Sequence, residues 1–184
     1  MPTYERETRI PVTFDRVWEF HSRVTGLTAL TPGFAGLEVE EIRTPSSVHD
    51  GDREAVETVE LVVGTEIDAS VRPFDVGSRT GWTSVIVDRS ESADAAHFCD
   101  EMRAGPMRYW RHTHTFFRDG DGTLLRDRVE YRLPGGRLGA AVAPLAVLGF
   151  APFFIHRHRR TERLLTDGER TSGQITTDTG AGEG

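Results

Sequence analysis

A chain of 184 residues has the length of one domain and can bury a core without disulfides or a structural metal. Its net charge of -7, with 28% charged residues and all 22 basic residues arginine, excludes a surface that as a whole attracts nucleic acid or anionic membrane. Cys99 is the only cysteine, which excludes an intramolecular disulfide, and MPTYERETRI lacks the apolar stretch of a signal peptide, so a cytoplasmic protein is expected.

Tyr4 to Val12 alternates apolar and polar side chains and predicts a first strand, and Thr13 with Asp15 in the next turn predicts a helix N-terminus. On that helix Phe14, Val17, Trp18, His21 and Val24 share one face of a 3.6-residue period, which predicts burial. Gly26 interrupts it, and a second short helix is expected before Pro32 and Gly33. From Gly36 onward the pattern is of strands: Leu37 to Arg43, Thr65 to Phe74, Trp82 to Arg89, His97 to Met102, Tyr109 to Arg118 and Leu124 to Leu133. Turn chemistry separates them at Asp75-Val76-Gly77, Gly105-Pro106 and Asp119-Gly120-Asp121-Gly122.

Residues 44–64 fit no single element, since Pro45 and HDGD are loop-like while EAVETVELVV suits strand or helix. Further on, Leu138 to Ile155 is a run of eighteen uncharged residues containing Pro144 and Pro152 and followed by the basic HRHRRTER. It predicts a long C-terminal helix, kinked or broken. The stretch 168–184, rich in Gly and Thr, predicts a disordered tail behind a single domain over 1–167.

Strand, two short helices, six strands and a last long helix is not a parallel βαβ order. It predicts an α+β helix-grip fold, in which a curved antiparallel seven-stranded sheet wraps around the C-terminal helix. The run FCDEMRAGPMRYWRHTHTFF followed by TLLRDRVEYRLPGGRLG, supported by FDRVWEFH, LTPGF and FFIHRHR, resembles the START-related, pollen-allergen-like superfamily known as SRPBCC. It is most similar to the prokaryotic ligand-binding and polyketide cyclase/dehydrase-like branch, over roughly Tyr4 to Leu165. The resemblance implies a cavity between sheet and helix that in relatives accepts lipids, polyketides or sterols, and does not by itself imply catalysis. Met107, where the branch has an aromatic, and the long acidic segment before Gly64 depart from the pattern.

Alternation puts Trp110, His112, His114 and Phe116 on one strand face, and Leu125, Asp127, Val129, Tyr131 and Leu133 on the inward face of the next. If Arg118 faces Thr123 across the DGDG turn, His114 lies opposite Asp127, Trp110 opposite Tyr131 and Phe116 opposite Leu125. A two-residue slip would keep the faces and move the partners. Asp100, on the face of Phe98, joins this cluster. A buried carboxylate needs a partner, so a His–Asp hydrogen bond is expected.

The first reading is a binding protein for a small apolar or amphipathic molecule such as a lipid, polyketide or isoprenoid. Its lining would be Trp18, His21, Asp100, Trp110, Phe116, Tyr131, Leu145, Phe150 and Phe153. The second is a cyclase or dehydratase in which His112 or His114, oriented by Asp127, acts as acid or base. The His112-Thr113-His114 spacing also suits two metal ligands, with Asp127 as a third, but without a further His or Cys motif no metal and no cofactor is expected. The eighteen uncharged residues from Leu138 reach the lower length limit of a membrane span, and a third reading is peripheral membrane contact or a regulatory interaction through residues 138–163. The arginines after Ile155 are read as a solvated helix end, and nothing indicates an oligomeric state.

Overall fold

The computed structural model describes residues 1–50 and 58–178, with the backbone alone for 47–50 and 169–178. The alternating N-terminal segment forms β1 (Thr3–Ile10), followed by α1 (Phe14–His21) and α2 (Val24–Leu30). All five periodic residues, Phe14, Val17, Trp18, His21 and Val24, are buried. Thr13 stands at the N-cap of α1, but its hydroxyl makes no capping bond; its carbonyl accepts the Val17 N–H at 3.1 Å.

The expected strands follow: β2 (Glu38–Thr44), then β4 (Glu66–Val71), β5 (Thr80–Glu91), β6 (Ala95–Ala104), β7 (Tyr109–Asp119) and β8 (Gly122–Arg132). Between β2 and β4 the open segment contributes a short strand, β3 (Ser47–Asp50), paired to β2; residues 51–57 of that segment lie outside the described residues. The strand expected to reach Phe74 stops at Val71, because Pro73 and the left-handed Phe74 and Asp75, both at φ 56°, form a 3-10 turn.

The strands form one antiparallel sheet in the order β1-β8-β7-β6-β5-β4-β2-β3, the seven expected strands with β3 added at the edge. Register irregularities in the β2–β4 and β5–β6 pairs add local twist and help the sheet curl. Beyond β8 come α3 (Gly136–Val142), a 3-10 turn at Ala143–Ala146, and α4 (Val147–Asp178). Pro144 breaks the apolar run, whereas Pro152 is accommodated inside α4. The helix is continuous to Asp178, past residue 167 where the ordered domain was expected to end; residues 179–184 lie outside the described residues. This is the helix-grip fold.

The core divides in two. One apolar cluster holds Ile10, Trp18, Phe98, Phe116, Leu125 and Leu165; the other holds Tyr4, Val129, Tyr131 and Phe154, with Trp110 and Phe150 against it. Between them the inward faces of four neighbouring strands and of α4 turn polar: Thr8 on β1, Asp127 on β8, His112 and His114 on β7, Asp100 on β6, and His158 and Thr161 on α4. A polar belt therefore crosses the sheet.

A buried histidine and aspartate belt

Asp127 is the centre of the belt, 1% exposed. The strand pairing places it opposite His114, with Trp110 opposite Tyr131 and Phe116 opposite Leu125, as the turn geometry predicted. Its Oδ1 accepts a hydrogen bond from His112 Nε2 at 2.9 Å, and its Oδ2 accepts one from His158 Nε2 at 2.7 Å. On its other side His158 Nδ1 lies 2.7 Å from the Thr8 hydroxyl, which itself donates to the Glu7 carbonyl at 2.8 Å. His114 Nδ1 comes within 2.7 Å of Asp127 Oδ1 but off the line of a hydrogen bond, and makes none there. The His112 and His114 rings lie 3.7 Å apart between centroids.

Asp100 closes the other side. Its Oδ2 accepts the Ser84 hydroxyl at 2.9 Å, and its Oδ1 lies 3.7 Å from His112 Nδ1 and 3.5 Å from His114 Nε2. Deeper in, His21 Nε2 reaches Thr161 Oγ1 at 3.2 Å, and that hydroxyl donates to the Arg157 carbonyl at 3.1 Å. Two arginines also enter the belt with a buried Nε that has no hydrogen bond among the described residues: Arg6, in register with Asp127, and Arg157, 7% exposed.

The structure thus brings His112, His114, Asp127 and Asp100 together, with His21 behind them. Trp110, Tyr131 and Phe150 form an adjoining aromatic wall, with ring centroids 5.5 Å apart for Trp110–Phe150 and 4.9 Å for Tyr131–Phe150. Trp18 and Phe116 instead pack on each other and on Phe98 in the first apolar cluster. Leu145 and Phe153 are not wall residues: Leu145 points outward from the 3-10 turn, 63% exposed, and Phe153 flanks Phe154 on the outer side of α4. The expectation of a wholly solvated basic run also needs correction. His156, Arg159, Arg160 and Arg163 are exposed, but Arg157 and His158 are buried. The spacing Phe154, His158, Thr161, Leu165 carries the signal, since it keeps to one face of a helix.

A family model described as polyketide cyclase/dehydrase and lipid transport matches residues 10–148. The chain belongs to this family. No curated protein matches it. Among solved structures, TTHA0849 from Thermus thermophilus has a TM-score of 0.61 at 17% identity, covering 91% of this chain and 99% of that one. A point mutant of norcoclaurine synthase from Thalictrum flavum, solved with a transition-state analogue, has a TM-score of 0.59 at 16% identity, covering 91% and 96%. Ms6760 from Mycobacterium smegmatis has a TM-score of 0.59 at 14% identity, covering 90% and 92%. At these identities the likeness is one of fold. Arg157 and His158 lie beyond the segment that the family model matches.

Within this family member, burial and charge act against each other. Burial alone would raise the Asp127 carboxyl, but His114 and His112 reverse this and hold it well below the usual range. Asp100 is likewise held low, burial being outweighed by His114, His112 and Ser84. Burial and the neighbouring His114 hold His112 low, despite Asp127. In His114 the same burial is overcome by Asp127 and Asp100, and its pKa is raised. His21 is pushed well down by burial, with Arg157 and His114 adding to the effect, and burial also lowers Arg157. A cleft of about 300 Å³ over Glu40, Asp68, Trp82 and Thr83 contains none of the expected site residues.

Proposed function

We propose that the chain binds a small amphipathic molecule. Its apolar part would lie along Trp110, Tyr131 and Phe150 beneath α3 and the start of α4, and its polar end would meet Asp100 and His112. One observation supports this most: an apolar helical segment left largely unburied beside an aromatic wall that ends in charged groups. Leu138 and Leu148 are each 74% exposed, although a helix that merely caps a core buries its apolar side. A wall of aromatic rings with a few converging polar groups is the usual make-up of a ligand site. The same segment suits contact with a lipid surface during uptake. Residues 136–168 have the length and composition to cross a membrane, yet their C-terminal half buries Arg157, His158 and Leu165 in the fold, which favours covering over spanning.

Titration with a long-chain fatty acid, followed by Trp fluorescence and native mass spectrometry, tests the reading. Saturable binding of about one molecule per chain is expected, weakened by Trp110→Ala and Phe150→Ala and unchanged in Trp82→Phe. No saturable binding, or binding indifferent to both wall variants, overturns it.

A second reading, acid and base catalysis of a cyclisation or dehydration, is favoured by the His112 and His114 rings standing 3.7 Å apart beside Asp127, the first pushed down in pKa and the second up. A neutral base beside a protonated acid is the pairing such chemistry needs. Turnover of a poly-β-ketone substrate that persists unchanged in both His112→Ala and His114→Ala would sink it.

A further inference from the structure

We propose that Asp100, His112 and His114 form a site for one divalent transition-metal ion of the zinc or iron(II) class, built on the adjacent strands β6 and β7. One ligand atom from each of Asp100, His112 and His114 lies within 4.8 Å of the other two. Asp100 Oδ1 is 3.7 and 3.5 Å from His112 Nδ1 and His114 Nε2, beyond ordinary hydrogen-bond length. Two donors held at zinc-ligand distances on a tetrahedral ion are about 3.4 Å apart, close to the two carboxylate–nitrogen distances here.

These atoms are also the ones with no other role. The hydrogen bond of His112 leaves from Nε2, the Nδ1 of His114 is the atom turned to Asp127, and Ser84 occupies Oδ2 of Asp100, leaving Oδ1. Among the described residues neither His112 Nδ1 nor His114 Nε2 has a hydrogen bond. Behind His112 stands Asp127, which accepts the hydrogen bond from its Nε2 and is held in turn by His158. A carboxylate on the far nitrogen of a ligating imidazole is the usual outer support of a metal centre, because it fixes the tautomer and raises the basicity of the donor nitrogen.

Two imidazoles and one carboxylate select zinc, iron(II) or cobalt(II) over magnesium or calcium, which take oxygen ligands. Cys99, the residue before Asp100, lies on the opposite strand face and adds no thiolate to the set. Three protein ligands leave a coordination position open. The ion needs no organic ligand, so its uptake is measured separately from the binding reading above, whose polar end would meet the same Asp100 and His112.

The test uses the full chain, stripped with a chelator and dialysed against micromolar zinc or cobalt(II). About one ion per chain is expected, with the visible absorption of cobalt in a low-symmetry nitrogen and oxygen site. Asp100→Asn keeps the shape and the Ser84 contact but loses the ligand charge, and should weaken binding at least about tenfold. His97→Ala, at an exposed His–Asp pair, should leave it unchanged. If Asp100→Asn does not fold, histidine side-chain nitrogen resonances in the wild type decide: zinc should shift those of His112 and His114. Substoichiometric uptake by the wild type, or stoichiometric uptake that leaves these resonances unmoved, overturns the proposal.

Discussion

Asp127 holds the belt together because both of its oxygens are spoken for inside an apolar core, by His112 on one side and His158 on the other. Removing that charge leaves imidazole donors buried without their partner, a loss of about 3–5 kcal/mol for a broken buried pair. Asp127→Asn should therefore lower the free energy of urea unfolding by that amount, and a change under about 1 kcal/mol would show that the belt is not structural. The histidines make stability depend on pH. His21 and His112 are held below their ordinary 6.5, so the unfolded chain takes up protons there that the folded one refuses, and their contribution is lost as pH falls through that value. His114, raised, contributes fully below 6.5 and loses its contribution as pH rises through its folded value. Asp100 and Asp127, both depressed, add losses only below their ordinary 3.8. With two depressed histidines against one raised, the melting temperature should fall between about pH 7 and about pH 5. His21→Gln should flatten that slope, and an unaltered slope would remove His21 from the account.

Among the elements, the strands were the most legible in the sequence. Period-two alternation from Tyr109 to Arg132 and the DGDG turn set both face and register, and the observed pairs match residue for residue. The C-terminal helix was legible in extent and hidden in detail. Its basic run reads as solvent-facing by composition, while the spacing from Phe154 to Leu165 places Arg157, His158 and Thr161 inward. Arg6 was overlooked for a similar reason: a charged side chain obscures the alternation that puts it on the inward face of β1 with Tyr4, Thr8 and Ile10. The seating of α3 depends on one glycine. A Cβ on Gly139 would stand 2.0 Å from the Pro134 carbonyl oxygen, which is backbone and cannot step aside. Gly139→Ala should cost about 1–3 kcal/mol in thermal unfolding by displacing α3 from the end of β8. Leu148→Glu, on the exposed stripe, should leave stability within about 0.5 kcal/mol while reducing fatty-acid binding. A large loss of stability there would mean that the stripe is covered in the free protein.

On the scale of the whole molecule, the core is two apolar clusters joined through polar contacts, a division no linear pattern announces. Each strand shows only its own apolar–polar–apolar sequence, and the belt exists because the register aligns Thr8, Asp127, His112, His114 and Asp100 across neighbouring strands. Asp100 and the two β7 histidines were readable from parity alone. The contribution of α4 was not, because which helix face meets the sheet depends on how the chain turns at Gly135 and Pro144. A belt of this kind has an energetic consequence. Hydrogen bonds from α4 and β7 converge on the same carboxylate, so neither apolar cluster can open without exposing buried polar groups to the other. The two clusters should then unfold as one. Trp18 lies in the first and Trp110 against the second, so variants retaining only one of these tryptophans report each cluster separately. Their urea transitions should coincide in midpoint and steepness, as for a two-state domain. In an Asp127→Asn background, where α4 and β7 no longer share an anion, the Trp110 transition should move to lower urea than that of Trp18, since the second cluster is the smaller and loses its tie to the first. Separate transitions with Asp127 intact would show two independently stable halves, and the belt would then be a boundary and not a joint.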